Sequence, residues 1–152
     1  MRLIRTKEDD LEENYLELHY SRIDEETAAI IKQLKEGPRY IEGSCDGKKF
    51  TVALQDVYYM ETVDRKTFAY TGDMCIEIRE ALRDIIDEFS DAGFVRISKS
   101  AIVNIHKVKR LQGDLNMRVL IYLKNDERLI MNRSYRNEFY EKLENMQERK
   151  KK

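Results

Sequence analysis

Residues 94–106 read Phe94-Val-Arg-Ile-Ser-Lys-Ser-Ala-Ile-Val-Asn-Ile-His106. Three small polar or basic residues, Ser98, Lys99 and Ser100, sit between two apolar flanks, Phe94-Val95-Ile97 and Ala101-Ile102-Val103. The pattern predicts a short polar loop anchored in a core at both ends. A cation and two hydroxyls on such a loop suit phosphate oxygens and base edges. The 22 residues between Asp91 and Asp114 contain Arg96, Lys99, Lys107, Lys109 and Arg110 and no carboxylate. In a chain that is 38% charged, this is one basic edge on an otherwise balanced protein.

The net charge of −1 argues at first against an anionic partner. Its distribution changes the reading. Residues 1–38 hold 6 basic and 10 acidic side chains, leaving 22 basic and 19 acidic in 39–152. Affinity for a polyanion depends on a positive face rather than on the sum. The length of 152 residues suits one domain and an appendage. No stretch reads as a membrane span or secretory signal. Cys45 and Cys75 are widely spaced and read as reduced thiols, which points to the cytoplasm.

Working outward from the central stretch, residues 15–20 alternate as a strand would. A helix is expected from Asp24, with Thr27, Ile30, Ile31 and Leu34 on one stripe. Gly37-Pro38 ends it. Short strands follow. Asp46-Gly47 marks a hairpin between Tyr40–Glu42 and Lys49–Leu54. Val57–Glu61, Thr67–Thr71 and Met74–Ile78 are broken at Asp64-Arg65-Lys66 and Gly72-Asp73. A helix is expected over 79–90, with Leu82, Ile85, Ile86 and Phe89 on its buried face. A strand near Val108–Gln112 precedes a hairpin of Arg118–Leu123 and Arg128–Met131 around Asn125-Asp126. A closing helix starts near Ser134, the expected N-cap, with Tyr135, Phe139, Leu143 and Met146 on one side. The basic end Arg149–Lys152 reads as frayed. The chain therefore divides as a lead (1–39), a β-rich domain (40–147) and a basic tail (148–152).

Catalytic and metal chemistry find no foothold. His19 and His106 lie far apart, and neither has a ligand partner at helical spacing. No serine sits in a nucleophile elbow. Asp84, Asp87 and Glu88 fall on the solvated face of a helix. Asn104 closes the apolar run as a turn or cap residue. Tyr58, Tyr59 and Phe68 read as core. No cofactor or metal is expected.

Four blocks in fixed order carry a resemblance: Asp56-Val-Tyr-Tyr-Met-Glu61 with Val63-Asp-Arg-Lys-Thr-Phe68; the helix 79–90; Phe94–Asn104; and Leu129-Ile-Met-Asn-Arg-Ser-Tyr135. Together, over roughly 45–145, they resemble the LytTR-type DNA-binding domain of bacterial transcription regulators. The resemblance implies a mainly β fold of elongated, stacked small antiparallel sheets with short flanking helices. It also implies a sequence-specific regulator that is not an enzyme. Such a regulator reads direct-repeat sites on double-stranded DNA through loops in successive major grooves, often as two copies.

Three loops carry over. The first holds Arg65, Lys66 and Thr67; the second, Ser98, Lys99 and Ser100; the third, Asn132, Arg133 and Ser134. Arg133 is the leading candidate for base readout, because a guanidinium bonds O6 and N7 of guanine together. Lys99 follows, then Lys66 and Thr67. Ser98, Ser100, Asn132 and Ser134 position the chain on the backbone. Lys107, Lys109 and Arg110 add phosphate contacts. Some relatives place histidine in the first loop; this chain has none there. The lead is too short for a phospho-acceptor receiver domain. Stand-alone members of the family are in some cases restrained by a small membrane protein. The helix with Ile30, Ile31 and Leu34 suits either cover for the domain's own core or an interface with a second copy or inhibitor. The rival readings are a protein-interaction module and an RNA-binding domain. Exposed aromatic rings beside Lys99 would favour RNA.

Overall fold

The computed structural model describes residues 1–12, 16–35, 37 and 39–151. The chain separates into two compact units, Met1–Gly37 and Pro38–Lys152.

In the first unit the helix α1 spans Glu25–Lys35. Asp24 caps it: the Thr27 amide donates to Asp24 Oδ1 at 2.8 Å. This bond is the largest of the causes that hold the Asp24 carboxyl below its ordinary value. The strand expected over 15–20 does not form in 16–20, and Tyr15 lies outside the described residues. Leu16 and Tyr20 are exposed. Alternation alone does not make a strand without a neighbour to pair with.

The second unit is built on hairpins. Strands β1 (Tyr40–Cys45) and β2 (Lys48–Ala53) close around Asp46-Gly47. Strands β3 (Tyr59–Val63) and β4 (Lys66–Tyr70) close around Asp64-Arg65. Both turns are left-handed at their two central residues, with φ of 51° and 78° in the first and 51° and 66° in the second. That is the handedness a two-residue hairpin needs. Glycine supplies it freely in the first turn; Arg65 adopts it against its Cβ. Strand β5 (Cys75–Ile78) pairs with β4 and β1.

Helix α2 is shorter than expected, Leu82–Glu88, followed by a 3₁₀ turn at Ser90–Ala92. Gly93 then turns the chain at φ 91°. A Cβ there would stand 2.9 Å from the ring of His106, a surface-exposed residue. Strand β6 (Phe94–Ser98) and strand β7 (Ala101–Asn104) follow. The apolar flank 101–103 is thus itself a strand, and the polar loop is a tight turn, Lys99-Ser100. These strands form one antiparallel sheet in the order β2-β1-β5-β4-β3-β7-β6.

Strands β8 (Val108–Gly113), β9 (Val119–Leu123) and β10 (Arg128–Met131) form a second sheet, ordered β10-β9-β8. A 3₁₀ turn, Arg133–Tyr135, leads into helix α3, Arg136–Lys151. Asn132, not Ser134, is the cap: its side chain accepts from the Ser134 amide at 3.1 Å. The helix continues through most of the basic end rather than stopping before it; Lys152 lies outside the described residues.

Two cores result. Met60, Ala69, Ile76, Ile102 and Phe94 pack with Leu82 and Ile85 of α2. Val95, Ile97 and Val103 pack instead with Val119, Ile121, Leu123, Met131 and Phe139. Adjacent residues such as Phe94 and Val95, or Ile102 and Val103, belong to different cores. Strand side chains alternate between faces, so β6 and β7 are buried on both sides. The fold is mostly β, two antiparallel sheets with short helices.

Candidate nucleic-acid interface

The three loops come to one end of the second unit, through two backbone bonds. The Thr62 amide donates to the Ser100 carbonyl at 2.8 Å. This joins the β3–β4 turn to the β6–β7 turn, since Thr62 lies two residues before Asp64. The Asn132 amide donates to the Ile97 carbonyl at 2.9 Å. That bond ties the segment entering α3 to the end of β6. Arg65, Lys66, Lys99, Ser100, Asn132, Arg133 and Ser134 are exposed there.

The turn carrying Lys99 is held from below. Arg96 donates from Nη1 to the Lys99 carbonyl at 2.8 Å and to the Ser98 carbonyl at 3.4 Å. The Ser100 amide donates to Ser98 Oγ at 3.3 Å. A guanidinium is thus spent on fixing the turn while the lysine ammonium stays outside. In the third loop Asn132 Oδ1 accepts from both the amide and the hydroxyl of Ser134, each at 3.1 Å. The intervening Arg133 projects from a constrained turn. Between the paired strands β4 and β3, the Tyr70 hydroxyl donates to Glu61 at 2.6 Å. Burial, and then this bond, hold the Tyr70 phenol well above its ordinary value. Stacked against it at 4.4 Å, Tyr59 is pushed up to about 12, first by burial and then by the charges of Glu127 and Glu61. Both rings stay neutral at physiological pH.

Some expected residues are buried or paired at this end, and others stand apart from it. Thr67 is buried, 7% exposed, and its position in β4 leaves its hydroxyl little surface for a ligand. Lys66 lies 4.0 Å from Glu77. Strand β7 runs away from the turn, and the chain reaches Lys107 only after Asn104, roughly 10 Å along it. Lys107 sits over the Tyr58 ring at 5.0 Å. Lys109 pairs with Asp126 at 3.6 Å, at the β9–β10 turn. That turn is the end of the second sheet remote from Asn132. Arg110 lies on the Tyr122 ring at 3.7 Å. Asn104 is a buried cap: it donates to the Val57 carbonyl at 2.9 Å and accepts from the His106 amide at 3.0 Å.

Sequence reasoning missed the β8–β9 loop. Asn116 and Arg118 line an open groove of about 410 Å³ with Ser98, Ile130, Asn132 and Arg133. Asp114 organises this loop, accepting at Oδ1 from the Asn116 and Arg118 amides at 2.9 and 3.0 Å. Its Oδ2 accepts from Arg118 Nε at 3.1 Å. Desolvation alone would raise the Asp114 carboxyl, but these amides and the guanidinium outweigh it and hold it below the ordinary value. An aspartate two residues before an asparagine is the sequence signal of such a turn.

Among the described residues, no three His, Cys, Asp or Glu side chains converge as a metal site. No helix there is long and apolar enough to cross a membrane. Cys45 and Cys75 are free thiols, and burial raises the Cys75 thiol.

Residues 47–144 match the family model described as the LytTr DNA-binding domain. A solved structure, the LytTr DNA-binding domain of a putative methyl-accepting/DNA response regulator from Bacillus cereus, superposes with a TM-score of 0.66. It is 23% identical and covers 70% of this chain and 98% of its own. Uncharacterized HTH-type transcriptional regulators of Staphylococcus aureus strains NCTC 8325 and COL are 23% identical over 133 residues, 86% of this chain and 90% of theirs. Despite that name, among the described residues of this chain no two helices pack as a helix–turn–helix; strands separate α1, α2 and α3. The matched stretch holds β2 to β10, α2 and all three loops, and the chain belongs to the LytTR family of DNA-binding domains.

Proposed function

We propose that this protein is a transcription regulator that reads double-stranded DNA with the loops gathered at one end of its two sheets. The observation that carries this reading is the pair of backbone bonds, Thr62 to Ser100 and Asn132 to Ile97, that join three separate cationic loops. Arg65, Lys99 and Arg133 are then exposed on turns whose backbones are fixed before any ligand arrives. Preorganised donors lose little entropy on binding. Arg133 reads a base edge and Lys99 a base edge or phosphate, while the serines and Asn132 set position. No ring lies on the three loops, and in the second unit the exposed large hydrophobics include one aromatic, Tyr40 on β1. Single-stranded RNA needs stacking platforms, so duplex DNA fits better. Two copies on a direct repeat would place two such ends in successive major grooves. The family's DNA-binding character and the regulators among its relatives support the assignment.

The test is selection of bound duplexes from a random pool, repeated with a Lys99→Ala, Arg133→Ala double variant. Enrichment of a spaced direct repeat by the native chain, lost in the double variant, is the expected result. No enrichment at low salt would sink the assignment. Affinity should fall steeply with salt, as phosphate contacts require.

A further inference from the structure

The β8–β9 loop has a composition and a backbone that the three cationic loops do not explain. Its tip, Leu115-Asn116-Met117, is closed by Asp114 and Arg118. The Asp114 amide donates to the Arg118 carbonyl at 3.0 Å, and the Met117 amide to the Asp114 carbonyl at 3.2 Å. Met117 is held at φ 63°, a left-handed conformation that is costly for a residue with a Cβ. Leu115 is fully exposed, and Met117 and Ile130 are 59% and 48% exposed. Single exposed leucines are ordinary. Here a fully exposed leucine stands on a strained, hydrogen-bonded tip, in the loop whose Asn116 and Arg118 share a groove with Arg133. Backbone strain of this kind collects where a side chain must be presented to something.

Resting on the DNA-binding reading above, we propose that the Asp114–Arg118 loop is a fourth DNA-contacting element. In it Leu115 makes an apolar contact with a thymine methyl group in the major groove, beside the base pair read by Arg133. Duplex DNA is the occupant the surroundings favour. The groove wall carries two guanidiniums, Arg118 and Arg133, the first paired with Asp114 at 3.0 Å. The thymine methyl is the one apolar group on a major-groove edge. An aliphatic tip on a loop that carries one of those arginines suits it, where an acidic peptide would leave the leucine unused.

The experiment compares the native chain with Leu115→Ser and Leu115→Met in the same selection, followed by titration of the recovered duplex over a range of salt. An exposed tip should tolerate both changes without loss of fold, checked by thermal unfolding. The expected result for Leu115→Ser is about a 5- to 20-fold weaker hold on the recovered site, from the loss of part of a leucine's burial. Preference for thymine at one position should relax. The salt slope should stay unchanged, because no phosphate contact is removed. Leu115→Met should bind like the native chain. If the native chain recovers a site and Leu115→Ser recovers it with equal affinity and base preference, the fourth contact is overturned and the three-loop reading stands. A changed salt slope or equal weakening on every sequence also overturns it. If the native chain recovers no site, the DNA-binding reading itself falls.

Discussion

The amide of Asn132 donates to the carbonyl of Ile97 across 2.9 Å, and this bond joins the end of the large sheet to the segment that opens α3. Asn132 also accepts from Ser134 with its side chain. One residue thus fixes where Arg133 leaves the surface and how the last helix begins.

Removing that side chain should therefore separate two effects. Asn132→Ala keeps the amide bond to Ile97 but loses the cap, which costs about 1 kcal/mol of stability. The orientation of Arg133 is lost with it. DNA affinity should fall by more than the stability change alone implies. Chemical denaturation and a binding titration on the same preparation measure both, and equal binding by the variant would show that the cap does not aim Arg133.

Arg133→Ala and Lys109→Ala should differ in kind. The first removes an exposed guanidinium at the gathered loops and should cost about 1–3 kcal/mol at one base pair, relaxing preference there. Lys109 is already engaged by Asp126 at 3.6 Å, at the remote end of the second sheet. Its removal should change affinity little and on all sequences alike. Binding to a panel of single-base variants of the recovered site tells them apart; uniform weakening by Arg133→Ala would reassign it to a phosphate.

The contrast between those two residues also shows what the chain makes legible. Hairpins are plain in the sequence where turn chemistry and alternation agree, as at Asp46-Gly47. The α2 stripe is plain for the same reason, since Leu82 and Ile85 recur at helical spacing and both are buried. Strand β7 is harder to see. Ile102 and Val103 face two different cores, so the strand reads as a continuous apolar run without period two. Lys107 and Lys109 looked like part of one basic edge because they are near Lys99 in sequence. The length of β7 carries Lys107 to the other end of the sheet. Asn116 and Arg118 went unread because what places them is tertiary: β9 lies between β8 and β10, so the loop before it meets the loop after β10.

Acidification gives a local test of the β8–β9 loop. The Asp114 carboxyl titrates below its ordinary value of 3.8 in the folded chain. A depressed folded value contributes stability that is present above the unfolded value and lost as pH falls through the folded one. The loop should therefore hold through mildly acid solution and open only below the ordinary carboxylate range. Amide resonances of Asn116 and Arg118, both donors to Asp114, should shift together there. In Asp114→Asn they should be pH-independent over the same range, and a transition persisting in that variant would place its origin elsewhere.

The buried polar centre is the strictest test of the fold. Asn104 is 1% exposed, donates to the Val57 carbonyl and accepts from the His106 amide. It thereby ties β7 to the approach to β3 and starts the turn toward β8. Asn104→Ala strands a buried carbonyl and an amide, with a penalty of about 1–3 kcal/mol for a group left unsatisfied. Asn104→Asp keeps the acceptor but removes the donor and adds a charge that burial opposes, so it should be no better. Asn104→Ser, too short to reach both partners, should not restore the loss. Because the loops at the opposite end of β7 keep their own bonds, each variant should bind DNA normally while it remains folded. Denaturant titrations give the stabilities, and binding at low temperature gives the affinities. Loss of binding in a fully folded Asn104→Ala would mean that the far end of the strand sets the geometry of Lys99 as well.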